Sequence, residues 1–248
     1  MKTHSSKAKY YDIGRPEYPI EFFDFIYTEL NIKKTDKIAD IGCGTGKITK
    51  HFLEQGNHVF AIEYDINMLE IANNKLNKFL NYTPICAPAE NTTLDNGVVN
   101  HIICGNSYAW FDHSRSVPEF KRISVAGGYT IVVYPNGKSD EECNFMDDLN
   151  VIYEKYKPAN SPIPNNSYPT FKDDRFIEKF IVHIEIVNRS KNLNHALSMS
   201  YTPSEEHDLF NEFCDEVNKV FDNHAVNGII EIPLRLSCII GKTEDLCP

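Results

Sequence analysis

Long apolar runs are missing from this chain of 248 residues. No stretch reaches the roughly 18 apolar residues that a membrane-spanning helix needs. The opening Met1-Lys2-Thr3-His4-Ser5-Ser6-Lys7 is polar, with no apolar export region behind it, so a cytoplasmic protein without a membrane partner is expected. Paired cysteines are missing too. The seven cysteines, at 43, 86, 104, 143, 214, 238 and 247, include no C-x-x-C, and most lie in apolar runs. That pattern argues against a zinc site or a disulfide frame and for buried thiols in a reducing compartment, so no metal is expected. Basic blocks are also lacking. With 25 Lys and Arg against 35 Asp and Glu, the net charge of −10 argues against a phosphate-backbone partner. Internal repeats are absent, and tryptophan occurs once, at Trp110.

What is present centres on Lys37-Ile38-Ala39-Asp40-Ile41-Gly42-Cys43-Gly44-Thr45-Gly46-Lys47. A short apolar run ends beside an acid, three glycines follow at every second position, and a helical pattern begins (Ile48, His51, Phe52, Leu53) and closes at Gly56. Strand, glycine turn and helix are the context in which main-chain amides at a helix N-terminus hold a nucleotide-like ligand. The spacing is not G-x-G-x-x-G, because Lys47 stands where the third glycine belongs, and no P-loop string can be read.

The D-x-G-x-G-x-G run resembles motif I of the class I S-adenosylmethionine-dependent methyltransferases. Glu63 closes the next strand-like run, His58-Val59-Phe60-Ala61-Ile62, where a carboxylate can accept from both ribose hydroxyls. The resemblance implies a Rossmann-like α/β fold: a seven-stranded, mostly parallel sheet with helices on both faces and a cap or lid inserted after the fifth strand. It implies one domain over 1–248, an N-terminal arm and helix (1–30) over the cofactor pocket, and a cap at 138–175. Asp40, Gly42, Gly44, Gly46, Glu63 and Tyr64 would contact the cofactor. Met68 would lie near the adenosine or serve as plain core. The segment Ala87-Pro88-Ala89-Glu90 resembles the family's adenine-reaching stretch, with Glu90 either contacting the base or capping the next turn.

Two further strings carry the resemblance. Tyr10-Tyr11…Arg15-Pro16-Glu17-Tyr18-Pro19 resembles the N-terminal segment of the small-molecule methyltransferases, which implies that Tyr10, Tyr11 and Arg15 face the cofactor or substrate, Arg15 pairing with the cofactor's carboxylate; the alternative is an ordered arm whose tyrosines cap the core. Asn106-Ser107-Tyr108-Ala109-Trp110-Phe111-Asp112 resembles the "Q-x-F-H-W-F-D" string of one branch, with Ala109 where relatives have His. It follows the strand Val98–Cys104, at whose carboxyl end ligands sit in open α/β sheets. Asn106 and Ser107 are thus further cofactor candidates, and Trp110, Tyr134 and Tyr201 substrate candidates. Trp110 either stacks on a ligand or forms the pocket floor.

The rest reads as ordinary alternation. Residues 1–9 are expected to fray, and Phe22, Phe23, Phe25, Ile26 and Leu30 mark a helix. Asp65 is an N-cap for a helix running to Leu80. Tyr82–Cys86 is an edge strand, on account of Pro84. Val117, Phe120, Ile123 and Val125 predict a helix ending at Gly127-Gly128, followed by the strand Tyr129–Tyr134. Then come an acidic helix (139–156), a Pro/Asn-rich loop (157–170), a strand (176–187), a helix from Pro203 through Phe221, and a last strand (229–240).

These readings predict transfer of a methyl group from S-adenosyl-L-methionine, leaving S-adenosyl-L-homocysteine, to a small-molecule acceptor by in-line displacement. Positioning would carry most of the rate. Tyr10, Tyr11 and His113 are candidates for a base where the acceptor must lose a proton. The alternatives are an NAD(P)-dependent oxidoreductase and a catalytically silent cofactor-binding protein, which the missing His at 109 keeps open. The acceptor atom and the oligomeric state are not legible in the sequence.

Overall fold

The computed structural model describes residues 7–138, 144–158 and 168–248. In chain order the elements are α1 (Ala8–Gly14), α2 (Ile20–Leu30), β1 (Lys37–Ile41), α3 (Lys47–Gln55), β2 (His58–Glu63), α4 (Ile66–Leu76), β3 (Tyr82–Cys86), β4 (Val99–Gly105), α5 (His113–Ile123), β5 (Ser124–Lys138), α6 (Asn144–Tyr156), β6 (Thr170–Phe171), β7 (Phe176–Asn188), α7 (Arg189–Ser198), α8 (Phe210–His224), β8 (Ile229–Lys242) and β9 (Leu246–Cys247). Seven strands form one sheet in the order β3-β2-β1-β4-β5-β8-β7. β1 pairs in parallel with β2 and β4, as do β2 with β3 and β4 with β5. The expected α/β architecture with a mostly parallel sheet is therefore present, and β3 is the edge strand that Pro84 predicted. A two-stranded antiparallel ribbon joins β6 to β9.

Two compact units divide the chain. One, here the α/β unit, comprises 18–136, 164–181 and 236–248; the other, the helical unit, comprises 1–17, 137–163 and 182–235.

In the α/β unit the strand period of two sorts the core into two faces. Ile38, Ile103, Ile131, Val133, Cys238 and Ile240 meet α2, α3 and α4 through Phe22, Ile26, Phe52, Leu53, Ala72 and Leu76. The alternate residues Ala39, Ile41, Ile102, Cys104, Val132 and Ile239 meet α5 through Val117, Phe120 and Ile123. Strands buried on both faces read as continuous apolar runs, which is why β1 and β4 stand out in the sequence. Asp65 caps α4, accepting from Asn67 N at 2.9 Å, and Gly56 ends α3 with φ +96°.

The helical unit packs α6 against α8. Phe145, Leu149 and Tyr153, four apart, meet Phe213, Val217 and Phe221, four apart, with Tyr156 and Phe213 ring centroids 5.2 Å apart. Each such side chain contributes about 1.5–3 kcal/mol on burial. α1 lies against α7: a Cβ on Gly14 would sit 2.1 Å from His195 N. Lys7, far from frayed, is buried and donates to the carbonyls of Met199 (2.8 Å) and Thr202 (2.6 Å). No helix among the described residues is long and apolar enough to cross a membrane.

Several boundaries differ from expectation. Gly127-Gly128 does not end a helix; α5 stops at Ile123 and Val125 already lies in β5. Gly127 adopts φ +76° where the β4–β5 register shifts between Val99 and His101, so the glycine pair marks a bulge within a strand. α4 ends at Leu76, leaving Leu80 fully exposed. On β7 the apolar residues Phe180, Val182, Ile184 and Ile186 face outward while Ile181, Glu185 and Val187 are buried. α8 begins at Phe210 rather than near Pro203. Residues 139–143 of the acidic helix and 159–167 of the Pro/Asn-rich loop, with Cys143 and the tail 1–6, lie outside the described residues.

Candidate functional site

β1 and β2 run side by side, with Asp40 opposite Ala61 and Ile41 opposite Ile62. Their carboxyl ends therefore open at one level. From the end of β1 the chain turns back on itself: the amides of Gly42 and Cys43 both donate to Ile62 O, at 2.8 and 3.0 Å. Gly42, Gly44 and Gly46 take φ values of +72°, +57° and +82°, a region costly for any side chain. At Gly42 space forbids one as well, since a Cβ would lie 2.5 Å from Ser107 Cβ and 3.4 Å from Phe111 Cζ. Gly46 then caps α3, so the loop feeds directly into a helix N-terminus.

Glu63, at the end of β2, clasps this loop. Its Oε2 accepts from Gly44 N at 3.0 Å and its Oε1 from Asp65 N at 2.9 Å. Burial raises its pKa, against the backbone hydrogen bonds that lower it. Asp40 lies beneath, 1 % exposed, accepting from Thr49 Oγ1 at 2.5 Å. Burial holds its carboxyl up at about 7, with the charge of Glu63 adding to the effect. The Thr45 hydroxyl in the loop is buried and has no hydrogen-bond partner among the described residues. Thr45 was not singled out in the sequence; the signal was a small polar residue between two obligate glycines.

The third wall comes from the end of β4. Asn106 adopts φ +56°, which asparagine tolerates, and its N donates to Val133 O at 2.7 Å. Ser107 Oγ donates to Ile41 O at 2.7 Å, joining β4's loop to β1's. Tyr108 and Trp110 share one turn of 3-10 helix. Tyr108 is buried and stacks on His113 (4.3 Å between centroids), whose Nε2 faces Tyr108 O at 2.9 Å. The geometry makes that nitrogen the donor. Glu90 accepts from Asp112 N at 2.8 Å, so its carboxylate holds the turn that opens α5. Met68 and Ala89 are buried and Tyr64 is half exposed. Tyr134 is half-buried, its ring 5.2 Å from that of Tyr168.

The α/β unit thus gathers Asp40, Gly42, Gly44, Gly46, Glu63, Tyr64, Met68, Ala89, Glu90, Asn106, Ser107, Trp110, His113 and Tyr134. Tyr10, Tyr11, Arg15 and Tyr201 belong to the helical unit. There Tyr10 donates to Glu205, and burial, with that bond, raises its pKa. The Arg15 guanidinium lies 5.0 Å from the centroid of the Tyr11 ring. No cluster of His, Cys, Asp and Glu suited to a metal occurs among the described residues.

Residues 39–132 match the family model of a methyltransferase domain. An uncharacterised methyltransferase of Schizosaccharomyces pombe is 22% identical over 227 residues, which cover 88% of each chain. An uncharacterised methyltransferase of Mycobacterium tuberculosis is 28% identical over 142 residues, covering 57% of this chain and 55% of that protein. Among solved structures, a putative type II methyltransferase from Anaeromyxobacter dehalogenans has a similar fold, with a TM-score of 0.58 at 18% identity over 92% of this chain and 98% of that one. Strand order, glycine loop and matched domain agree: residues 39–132 are similar to a methyltransferase domain, carried on the Rossmann-like fold of the class I S-adenosylmethionine-dependent methyltransferases.

Proposed function

We propose that the protein transfers a methyl group from S-adenosyl-L-methionine to a small-molecule acceptor. The observation that carries this reading is the Gly44–Glu63 clasp, a carboxylate held against a left-handed glycine turn at the adjoining ends of two parallel strands. The residues fit the cofactor. Glu63 accepts from the Gly44 and Asp65 amides, one on each oxygen, and a carboxylate has further lone pairs with which to meet a ribose hydroxyl. The buried Thr45 hydroxyl lacks the partner that a bound polar tail supplies.

When bound, the cofactor supplies a methyl group already activated on a positively charged sulfur. The chain's contribution is then to hold and orient. Glu63 and the loop amides fix the adenosyl end, Ala89 and Met68 exclude water beside the base, and Trp110 offers an aromatic face at the end of β4. Orientation of this kind is worth up to about 7–11 kcal/mol of a barrier. Of the candidate bases, Tyr10 is engaged with Glu205 and His113 with the Tyr108 carbonyl. An acceptor that arrives deprotonated would need none of them. The net charge of −10 favours a small acceptor over a nucleic acid.

Calorimetry with S-adenosylhomocysteine tests the cofactor, and methyl transfer from labelled S-adenosylmethionine to a metabolite panel tests the reaction. Micromolar binding with turnover is expected. Quenching of Trp110 by NADH with no response to S-adenosylhomocysteine would move the assignment to an oxidoreductase.

A further inference from the structure

One face of β7 lies open within the helical unit. Val182, Ile184 and Ile186 are 59, 53 and 58 % exposed, while Glu185 and Val187 are buried. The strand period of two makes the three aliphatics a single row. β8 alternates in the same way: Ile230 and Ile232 are buried, Ile229 and Glu231 are exposed, and Pro233 and Arg235 are half-buried. Val187, Ile230 and Ile232 share one core with α6 and α8, so the alternate residues of both strands look the other way. The two strands are neighbours in the sheet. Ser237 Oγ donates to Glu178 Oε1 at 3.0 Å, and Val187 shares its core with Ile230 and Ile232, so the strands run antiparallel. Counting from Glu178 and Ser237 sets Val182 beside Pro233, Ile184 beside Glu231 and Ile186 beside Ile229. These six residues and Arg235 all belong to the helical unit. Single exposed aliphatics are ordinary, but a contiguous row on the last strand of a sheet is a feature that proteins cover.

We propose that this face is where a second copy of the chain docks, sheet against sheet, about a two-fold axis that crosses the strands at the level of Val182 and Pro233. In such a contact the same patch meets itself, and each position faces the one equally far beyond the axis. Arg235 and Glu231 lie two residues to either side of Pro233. The axis therefore sets Arg235 of each copy against Glu231 of the other, two opposite-charge pairs, with Val182 on Val182 between them. Packed sheets stand about 10 Å apart, a gap that an arginine and a glutamate close together. The same charges argue against other occupants. One cation and one anion give the face no net charge with which to hold a strongly charged partner, and the chain's net charge of −10 opposes an anionic lipid surface. The row is small beside the roughly 800 Å² per partner of a standard interface, so the dimer is a reversible one, half-formed at tens of micromolar. The proposal does not depend on the methyltransferase reading.

The test is sedimentation equilibrium of the full chain from low micromolar to several hundred micromolar. A reversible monomer–dimer equilibrium is expected. Val182→Asp sets two carboxylates against each other at the axis and should weaken association at least about tenfold. Arg235→Glu and Glu231→Arg each bring like charges together and should do the same. Mixed in equal amounts, these two charge variants should form a heterodimer about as tight as the parent's dimer, because every facing pair then joins opposite charges. Circular dichroism and urea midpoints show whether each variant keeps its fold, and Ile184→Thr, which suits a strand, replaces Val182→Asp should that variant unfold. A parent that stays monomeric over the whole range overturns the proposal. If that monomer sediments with vesicles of phosphatidylcholine and phosphatidylglycerol, the face belongs to lipid instead. A dimer that survives Val182→Asp is built elsewhere, and charge variants that do not recover on mixing exclude this axis; either result overturns the proposal as well.

Discussion

Glu63 Oε2 lies 3.0 Å from Gly44 N, and the second oxygen of the same carboxylate lies 2.9 Å from Asp65 N. One side chain therefore fixes both the glycine turn and the start of α4. Removing it is expected to cost twice. Glu63→Ala should lower stability by about 1.5–3 kcal/mol for each charge-assisted bond lost. It should also weaken S-adenosylhomocysteine by one to two orders of magnitude. Glu63→Gln, which keeps one acceptor oxygen, should fall between. Paired urea titration and calorimetry check this, and retention of parental affinity by Glu63→Ala would remove the basis of the proposed cofactor site.

Gly42 faces Ser107 so closely that even a methyl group is excluded. Gly42→Ala should destabilise by about 2–4 kcal/mol, from overpacking and a left-handed backbone together. Adding Ser107→Gly removes the overlap with Ser107 and leaves the backbone strain, so the double variant should recover part of the loss. Full recovery would mean that φ at 42 is not a constraint.

Asp40 titrates at about 7 in the folded protein because it is buried, against about 4 in an unfolded chain. The folded state thus binds this proton more tightly. The stability that comes with it is complete below pH about 4 and lost as pH rises through about 7. Asp40→Asn cannot titrate, and its oxygen still accepts from Thr49. The stability difference, variant minus parent, should grow in the variant's favour between these limits by at most roughly 4 kcal/mol, then level off. Urea midpoints at a series of pH values measure it, and a difference flat with pH would show Asp40 to titrate normally.

Gly14 touches the backbone of α7, with a virtual Cβ 2.1 Å from His195 N and 2.3 Å from Asn194 C. Backbone atoms cannot swing aside as a side-chain tip does. Gly14→Ala should therefore push α1 off α7, costing about 3 kcal/mol or more. Hydrogen exchange should show faster amides across α1, with the α/β unit's strands unaffected.

The α/β unit was largely legible because its strands are buried on both faces and its turns need special residues. β1, β2, β4 and the glycine loop fell where apolar runs, Gly42–Gly46 and Glu63 placed them. α7 was missed because its buried face is Asn192, Ala196, Leu197 and Ser198, a set with no apolar period to detect. The Gly127-Gly128 pair misled because glycine marks bulges inside strands as readily as helix ends. On β7, alternation identified the strand but not the direction of its faces, since both sets of alternating residues contain aliphatics. In the candidate site, the partners of Glu90 and His113 were beyond reach. Asp112 N is 22 residues from Glu90, and only the fold brings a main-chain group to a given side chain.

The hydrogen bonds from Lys7 to Thr202 span 195 positions of sequence. During synthesis at about 5–20 residues per second, α1 leaves the ribosome and has nothing to dock on for roughly ten to forty seconds. The first five strands of the sheet are contiguous and can begin to pair in that interval, whereas the helical unit must wait for its last stretch to emerge. A chain stalled beyond β5 would therefore hold a nascent sheet with its leading helix unclaimed, an obvious target for a chaperone.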